Sequence, residues 1–235
     1  MNIVITGASK GMGKAIAIEF ANDKQGHTFF LCARNNEELE RTGKELQGRF
    51  PRTNVYTKRC DVANPAELRE FVAWIHSLTD RIDVLINNAG IFMPGSVHSE
   101  GEGVLQKMID VNLYGAYHLT RLLLPGMMEA KSGHIFNMCS IAALHAYKNG
   151  GAYSISKFAI YGFSKNLREE MKEYGVKVTA VLPGAVMTDS WKDFDNANNR
   201  IMEATDIAKL VYTTAMLSPQ ACVEDIIIRP QLGDL

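Results

Sequence analysis

Ile3-Val4-Ile5-Thr6-Gly7-Ala8-Ser9-Lys10-Gly11-Met12-Gly13 runs a short β-branched segment directly into small residues and then, from Lys14, into a stretch of helical period. β-branched residues favour a strand, and the glycines and Ser9 favour a tight turn. The order is therefore strand, glycine-rich turn, helix. Small residues at such a turn let the backbone approach a phosphate, which can accept hydrogen bonds from the unpaired amides of the helix N-terminus.

Outward from this stretch, short β-rich runs alternate with longer helical ones. Ile3–Thr6 is followed by Thr28–Cys32, Asn54–Lys58, Val84–Asn87, Ile135–Cys139, Val178–Leu182 and Ile226–Ile228, seven candidate strands. Between them lie Lys14–Asn22, Asn36–Gln47, Ala66–Leu78, Gly103–Met128, Ala152–Tyr174 and Asp206–Leu217, all read as helices. Strict alternation implies parallel pairing through right-handed crossovers, and apolar strand runs imply helices on both faces. The expected fold is α/β: one Rossmann-type, doubly wound domain over residues 1–235 with a seven-stranded parallel sheet. No repeat or linker divides the chain. Residues 187–204, polar and interrupted by Trp191 and Phe194, read as a mobile loop after a strand end, suited to be a substrate lid.

Composition narrows the class. Apolar residues make up 46 % and charged residues 22 % of 235, as in ordinary globular proteins. A formal charge of −1 leaves no net attraction for nucleic acid or anionic lipid. Cys32, Cys60, Cys139 and Cys222 are scattered without metal-ligand spacing, so no metal site is expected. No basic leader precedes the first apolar run, and no stretch reaches the roughly 18 apolar residues of a membrane helix. The expectation is cytoplasmic residence.

Two clusters carry chemistry. In nucleotide-binding folds that prefer NAD, a carboxylate about twenty positions after the glycine turn holds the ribose 2′-hydroxyl. Here the second strand ends Leu31-Cys32-Ala33-Arg34, and Arg34 offers a forked cation suited to a 2′-phosphate. Lys10 can approach the same phosphate from the glycine turn, so NADPH/NADP+ is expected rather than NADH. Further on, Tyr153 and Lys157 stand four apart on one helical face. A phenol titrates near about pH 10, and a neighbouring ammonium favours its ionised form, which suits it to acid/base work at neutral pH. Ser140, just past the fifth strand, can donate to a substrate oxygen or serve as a turn cap. Asn112 sits inside a helical stretch, where asparagine is a poor fit.

In this order, the Thr6–Gly13 turn, Asp61, Asn87-Asn88-Ala89-Gly90, Asn112, Ser140, Tyr153 with Lys157, and Pro183-Gly184 resemble the short-chain dehydrogenase/reductase family over essentially the whole chain. The resemblance implies Tyr153 as acid/base, Ser140 as its partner on the carbonyl, Lys157 as ribose ligand and cation, and Asn112 in a proton relay through water. It also implies cofactor contacts from Gly7, Ser9, Lys10, Gly11, Met12 and Gly13, from Arg34, Asp61 and Val62, from Asn88, Ala89 and Gly90, from Tyr153 and Lys157, and from Pro183, Gly184, Val186 and Thr188.

The implied activity is NADP(H)-dependent reduction of a small carbonyl by a homodimer or homotetramer, with no nucleic-acid or membrane partner. Pro183-Gly184-Ala185-Val186 with Trp191, and Ile226-Ile227-Ile228-Arg229-Pro230 with Gly233-Asp234, are similar to the bacterial sepiapterin reductases. Reduction of a 3-oxoacyl carrier-protein thioester is the rival; an epimerase and a nucleotide-sensing binding protein stand outside it. Phe92, Leu144, Tyr147, Trp191 and Phe194 are candidate pocket linings, and Asp189 or Asp193 a candidate partner for a pterin amino group.

Overall fold

The computed structural model describes residues 1–234 except 189, 190, 192, 193 and 197. Seven strands, β1 (Asn2–Thr6), β2 (Thr28–Ala33), β3 (Asn54–Arg59), β4 (Val84–Asn87), β5 (Gly133–Met138), β6 (Val176–Pro183) and β7 (Asp225–Ile228), form one sheet in the order β3-β2-β1-β4-β5-β6-β7. Every pairing is parallel. The chain winds from β1 outward to β3, then returns to lay β4 on the other side of β1. That reversal opens a crevice at the carboxyl ends of β1 and β4, where an open α/β sheet accepts ligands.

Alternation along β1 shows how the layers form. Ile3 and Ile5 pack on one face with α1 (Gly11–Asn22), α2 (Asn36–Arg49) and α7 (Ala204–Ala215), through Phe20, Leu39, Leu46 and Val211. Val4 points to the opposite face, with Leu68, Phe71 and Ile75 of α3 (Pro65–His76), Leu119 and Leu123 of α5 (Gly115–Glu129), and Leu167 of α6 (Gly151–Met171). A period of two in the strands thus feeds both cores. The edge strand β3 departs from the apolar-run expectation: Asn54, Tyr56 and Arg59 are exposed. A sheet edge holding polar and charged side chains is protected from pairing with another chain.

The stretch expected to be one helix over 103–128 is three pieces. α4 (Val104–Ile109) passes into a π-helical turn at Asp110–Tyr114 before α5 begins. The extra residue in that turn accompanies an inward side chain, Asn112, which is 1 % exposed and bonded across to the backbone of Ile91. α6 also stops earlier than expected, giving way to a tight turn at Lys172–Tyr174 and left-handed Gly175. The 187–204 excursion is closed at its base: Met187 N donates to Met202 O at 2.8 Å, and Met202 N to Ala185 O at 3.1 Å. No described helix is long and apolar enough to cross a membrane.

The crevice is held open by one clamp. Thr6 Oγ1 accepts from the backbone amides of Asn88, at 3.0 Å, and Ala89, at 2.9 Å. Asn88 Nδ2 donates in return to the carbonyls of Thr6, at 2.9 Å, and Gly7, at 3.0 Å. Gly13 passes so close that an added Cβ would stand 2.5 Å from both Gly7 O and Asn88 Nδ2. Neither is a flexible chain end, so Gly13→Ala is expected to cost about 1–3 kcal/mol through overpacking, read as a lower urea midpoint with unchanged m-value.

Candidate active site

α1 starts at Gly11 with Lys10 in extended conformation before it, and among the described residues no side-chain hydrogen bond caps that end. The unpaired first-turn amides and the positive end of the helix dipole therefore border a cleft of about 610 Å³. Gly7, Ser9, Lys10, Gly11 and Met12 form its floor; Arg34 stands at the end of β2, Val62 after β3, and Asn88, Ala89 and Gly90 after β4. Thr188 closes it from the excursion after β6. The sequence-predicted residues thus converge, with two exceptions. Gly13 is not on the wall, because it is the close-packing point beneath the clamp. Asp61 is not on it either: its carboxylate accepts from Ala63 N at 3.0 Å and shapes the turn after β3.

Six wall residues were not foreseen: Ala33, Asn35, Glu38, Cys60, Ile91 and Val111. Asn35 caps α2, its side chain accepting from Glu38 N at 3.2 Å. Glu38 lies 3.7 Å from Lys10 Nζ, so an acid sits beside the cationic end of the cleft.

The cleft shares Met12, Asn88, Gly90, Ile91 and Thr188 with a second cavity of about 370 Å³. Ser140, Tyr153 and Lys157 line it, together with Pro183, Gly184 and Val186 from the end of β6. Ser140 fills the capping role that its position allows. Its Oγ accepts from Ala142 N at 3.1 Å, capping the short turn after β5, donates to Pro183 O at 3.5 Å, and stands close enough to the Tyr153 phenol to lower its pKa. Tyr153 lies in the first turn of α6, and the ring of Phe92 meets it edge-on at 4.8 Å.

Lys157 is buried, donates to Met138 O at 2.8 Å and holds its ammonium 5.7 Å from the Tyr153 ring centre. Burial drives both groups toward neutrality. It lowers the Lys157 pKa to about 8 and raises that of Tyr153, against a lowering by the Ser140 hydrogen bond. Ser140 is the group that lowers the phenol in this structure. The ammonium bonds a carbonyl, and its own charge is disfavoured where it sits.

Asn112 is tied elsewhere. Its Oδ1 accepts from Ile91 N at 2.8 Å, and its Nδ2 donates to Ile91 O at 3.0 Å and Ser156 Oγ at 2.9 Å. Ser156 in turn donates to Tyr153 O at 2.7 Å. The side chain tethers the loop after β4 to the helix bearing Tyr153 and Lys157.

Among the aromatic candidates, Phe92, Tyr147 and Trp191 line the chamber. Leu144 instead packs beside Ile160 and Leu182, and Phe194 meets the ring of Trp191 edge-on at 5.6 Å. Asp189 and Asp193 lie outside the described residues. His145, Arg229 and Asp234 also reach the wall, and sequence reading had assigned them no part in it. Arg229 and Asp234 get there because the tail after β7 folds back over Gly184, where an added Cβ would stand 3.0 Å from Pro230 and 3.2 Å from Asp234 Oδ1. They form an ion pair with each other. The described residues contain no group of three or more His, Cys, Asp or Glu able to hold a metal ion.

The chain is similar to known proteins over nearly its whole length. Residues 1–199 match the family described as short chain dehydrogenase. A sepiapterin reductase of Chlorobaculum tepidum is 34 % identical over 99 % of this chain and 97 % of its own length. A metagenomic short-chain oxidoreductase solved in complex with NADP superposes with a TM-score of 0.85 at 30 % identity, covering 98 % of this chain and 97 % of that one. A 3-oxoacyl-[acyl-carrier protein] reductase of Brucella melitensis superposes at 0.86 with 28 % identity, covering 97 % and 89 %.

The Lys157 shift has a thermodynamic signature. Between about pH 8 and 10.5 the unfolded chain keeps a proton that folded Lys157 has released, so this group makes stability rise with pH across that window. Below about pH 8 both states hold the proton and the contribution is flat. In urea unfolding without added nucleotide, the change in stability from pH 8 to pH 10 is expected to be more favourable in wild type than in Lys157→Met, by on the order of 1 kcal/mol.

Proposed function

The chain belongs to the short-chain dehydrogenase family, and from that premise we propose that it is an NADP(H)-dependent oxidoreductase reducing a small carbonyl compound to an alcohol, with Tyr153 as general acid. One observation carries the reading. The cleft bordered by the uncapped end of α1 opens, through the shared Met12, Asn88, Gly90, Ile91 and Thr188, into the chamber holding Ser140, Tyr153 and Lys157. A phosphate site and an acid/base site joined in this way suit one elongated dinucleotide and a substrate at its reactive end.

The residues present fit the cofactor. Amides at Gly11 and Met12 suit the pyrophosphate, and β2 ends in Ala33-Arg34 with no carboxylate for a 2′-hydroxyl. Arg34 and Lys10 hold the 2′-phosphate, and Glu38 offsets the charge of Lys10 until then. Bound NADPH supplies the hydride. Ser140 and Tyr153 donate hydrogen bonds to the carbonyl oxygen, and the Tyr153 proton passes to the oxygen as it becomes an alkoxide. A raised phenol pKa keeps that proton in place through neutral pH. Lys157, whose pKa of about 8 leaves most of it protonated at neutral pH, supplies positive charge beside the phenolate as it forms.

The chamber favours a compact, partly flat substrate, because Phe92, Tyr147 and Trp191 present rings while Arg229 and Asp234 present polar groups. A sepiapterin-like compound fits that wall and agrees with the Chlorobaculum tepidum likeness. The likeness to the Brucella melitensis enzyme supports a 3-oxoacyl thioester as the second reading. Residues 187–204 act as a lid, supported by the bridged base and by Trp191 on the chamber wall. Exposed Leu105, Tyr114, Ile155 and Phe158 on and beside α4 and α6 support a homo-oligomer, and four free thiols support a reducing, cytoplasmic setting.

NADPH oxidation measured in parallel with sepiapterin, an acetoacetyl thioester, 1,2-diketones and simple sugars identifies the carbonyl class. On the best of them, Tyr153→Phe is expected to lower kcat/KM by about 10²- to 10⁴-fold with NADPH affinity unchanged; wild-type turnover would remove Tyr153 from the mechanism. Arg34→Ala is expected to lower kcat/KM for NADPH by about 10- to 100-fold, the worth of a charge-assisted pair, and to leave NADH almost unaffected. Wild-type selectivity for NADH would overturn the cofactor reading.

A further inference from the structure

Tyr153 is the third residue of α6, in the part of a helix most prone to fray. α6 has neither a side-chain cap at Gly150 nor an acidic residue in its own first turn. The missing acceptor comes from a different loop: Ala152 N donates to Glu100 Oε1 at 2.8 Å, across 52 positions of sequence.

The surroundings of that bond are built to admit it. Gly151 has φ +32°, and a Cβ there would overlap Glu100 Oε1 and stand 2.5 Å from the Gly95 carbonyl oxygen. A Cβ at Gly95 would stand 2.7 Å from Glu100 Cγ. Only glycines at 95 and 151 leave the carboxylate room to reach the helix end. Two further bonds hold the same loops together: Gly95 N to Asn149 O at 3.1 Å, and Ser96 Oγ to Asn149 Oδ1 at 3.0 Å. The loop supplying Glu100 begins with Ile91 and Phe92, so it touches α6 twice more, through Asn112 and against the Tyr153 ring.

We propose that Glu100 is a positioning residue for the reaction: its carboxylate caps α6 from the loop after β4 and holds the first turn so that the Tyr153 phenol stays against Ser140. This rests on Tyr153 being the acid. A first turn without its cap lets the phenol move, and catalysis is sensitive to displacements of about an ångström. Glu100 touches neither cavity wall, so it acts through Tyr153 and leaves cofactor binding alone.

The test compares Glu100→Ala, Glu100→Asp and Glu100→Gln with Tyr153→Phe, on the carbonyl that wild type turns over best. With saturating NADPH, Glu100→Ala is expected to lose at least about tenfold in kcat, with KM for NADPH within twofold of wild type. Glu100→Asp, one methylene too short, should fall in between. Glu100→Gln keeps the acceptor and should stay within about threefold of wild type.

Amide hydrogen exchange by NMR reads the cap without any substrate. Ala152 and Ser154 should exchange at least about tenfold faster in Glu100→Ala and at the wild-type rate in Glu100→Gln, with the first turn of α1 unchanged. Should Glu100→Ala fail to fold, Glu100→Asp carries both measurements. Wild-type kcat and exchange in the truncated variants, or equal damage in Glu100→Gln, would overturn the proposal. If Tyr153→Phe is inactive while Glu100→Ala is not, positioning fails and the acid assignment stands; if Tyr153→Phe is active, the acid assignment fails and exchange alone decides the cap.

Discussion

The reciprocal bonding of Thr6 with Asn88 is the constraint on which the site depends. One hydroxyl accepts two backbone amides and one side-chain amide satisfies two carbonyls, so the ends of β1 and β4 are locked at the point where the strand order reverses. Buried polar groups left unbonded are costly, and these partners satisfy one another. The clamp fixes the floor of the cleft, sets how closely α1 can approach, and launches the loop that supplies Ile91, Phe92 and Glu100. Gly13 is the steric counterpart of the same junction: only the absence of a Cβ lets the helix start so near the strand end.

Electrostatics in the chamber follow from enclosure. With Lys157 buried and its ammonium on the Met138 carbonyl, and with Tyr153 enclosed beside Ser140, both groups are driven toward their neutral forms. The effect brings the lysine down to about 8 and the phenol up from its ordinary value, so their titrations move apart and the phenol keeps its proton where the lysine begins to lose its own. Asn112, Ser156 and Glu100 stand behind this pair and hold its backbone. Rigid support one layer away from the reacting atoms is what a precisely placed acid requires.

Much of this was legible before any coordinates. The alternation of β-rich and helical runs was enough for the strand set and its parallel pairing, because side-chain period and connection length are local properties. The glycine turn, Arg34, Ser140, Tyr153 and Lys157 were also readable, since each sits at a strand end or on a single helical face. The misreadings share a cause. The 103–128 stretch has a continuous helical period, yet the bonds of Asn112 to Ile91, 21 residues away, accompany a π-helical turn in its middle. That Gly13 packs against the clamp and that Asp61 shapes the turn after β3 depend likewise on partners outside the motif.

By itself, the sequence determined the fold class, the place of the glycine turn and the candidate residues Ser140, Tyr153 and Lys157, because these follow from patterns a few residues long. Tertiary structure alone decided which distant residues meet. Glu100 capping Ala152, Arg229 and Asp234 folding over Gly184, and Glu38 beside Lys10 arise from loops whose paths are set by packing and hydrogen bonds across the sheet. It also decided the protonation balance of Tyr153 and Lys157, since the desolvation that shifts them belongs to the assembled chamber and to no segment of the chain.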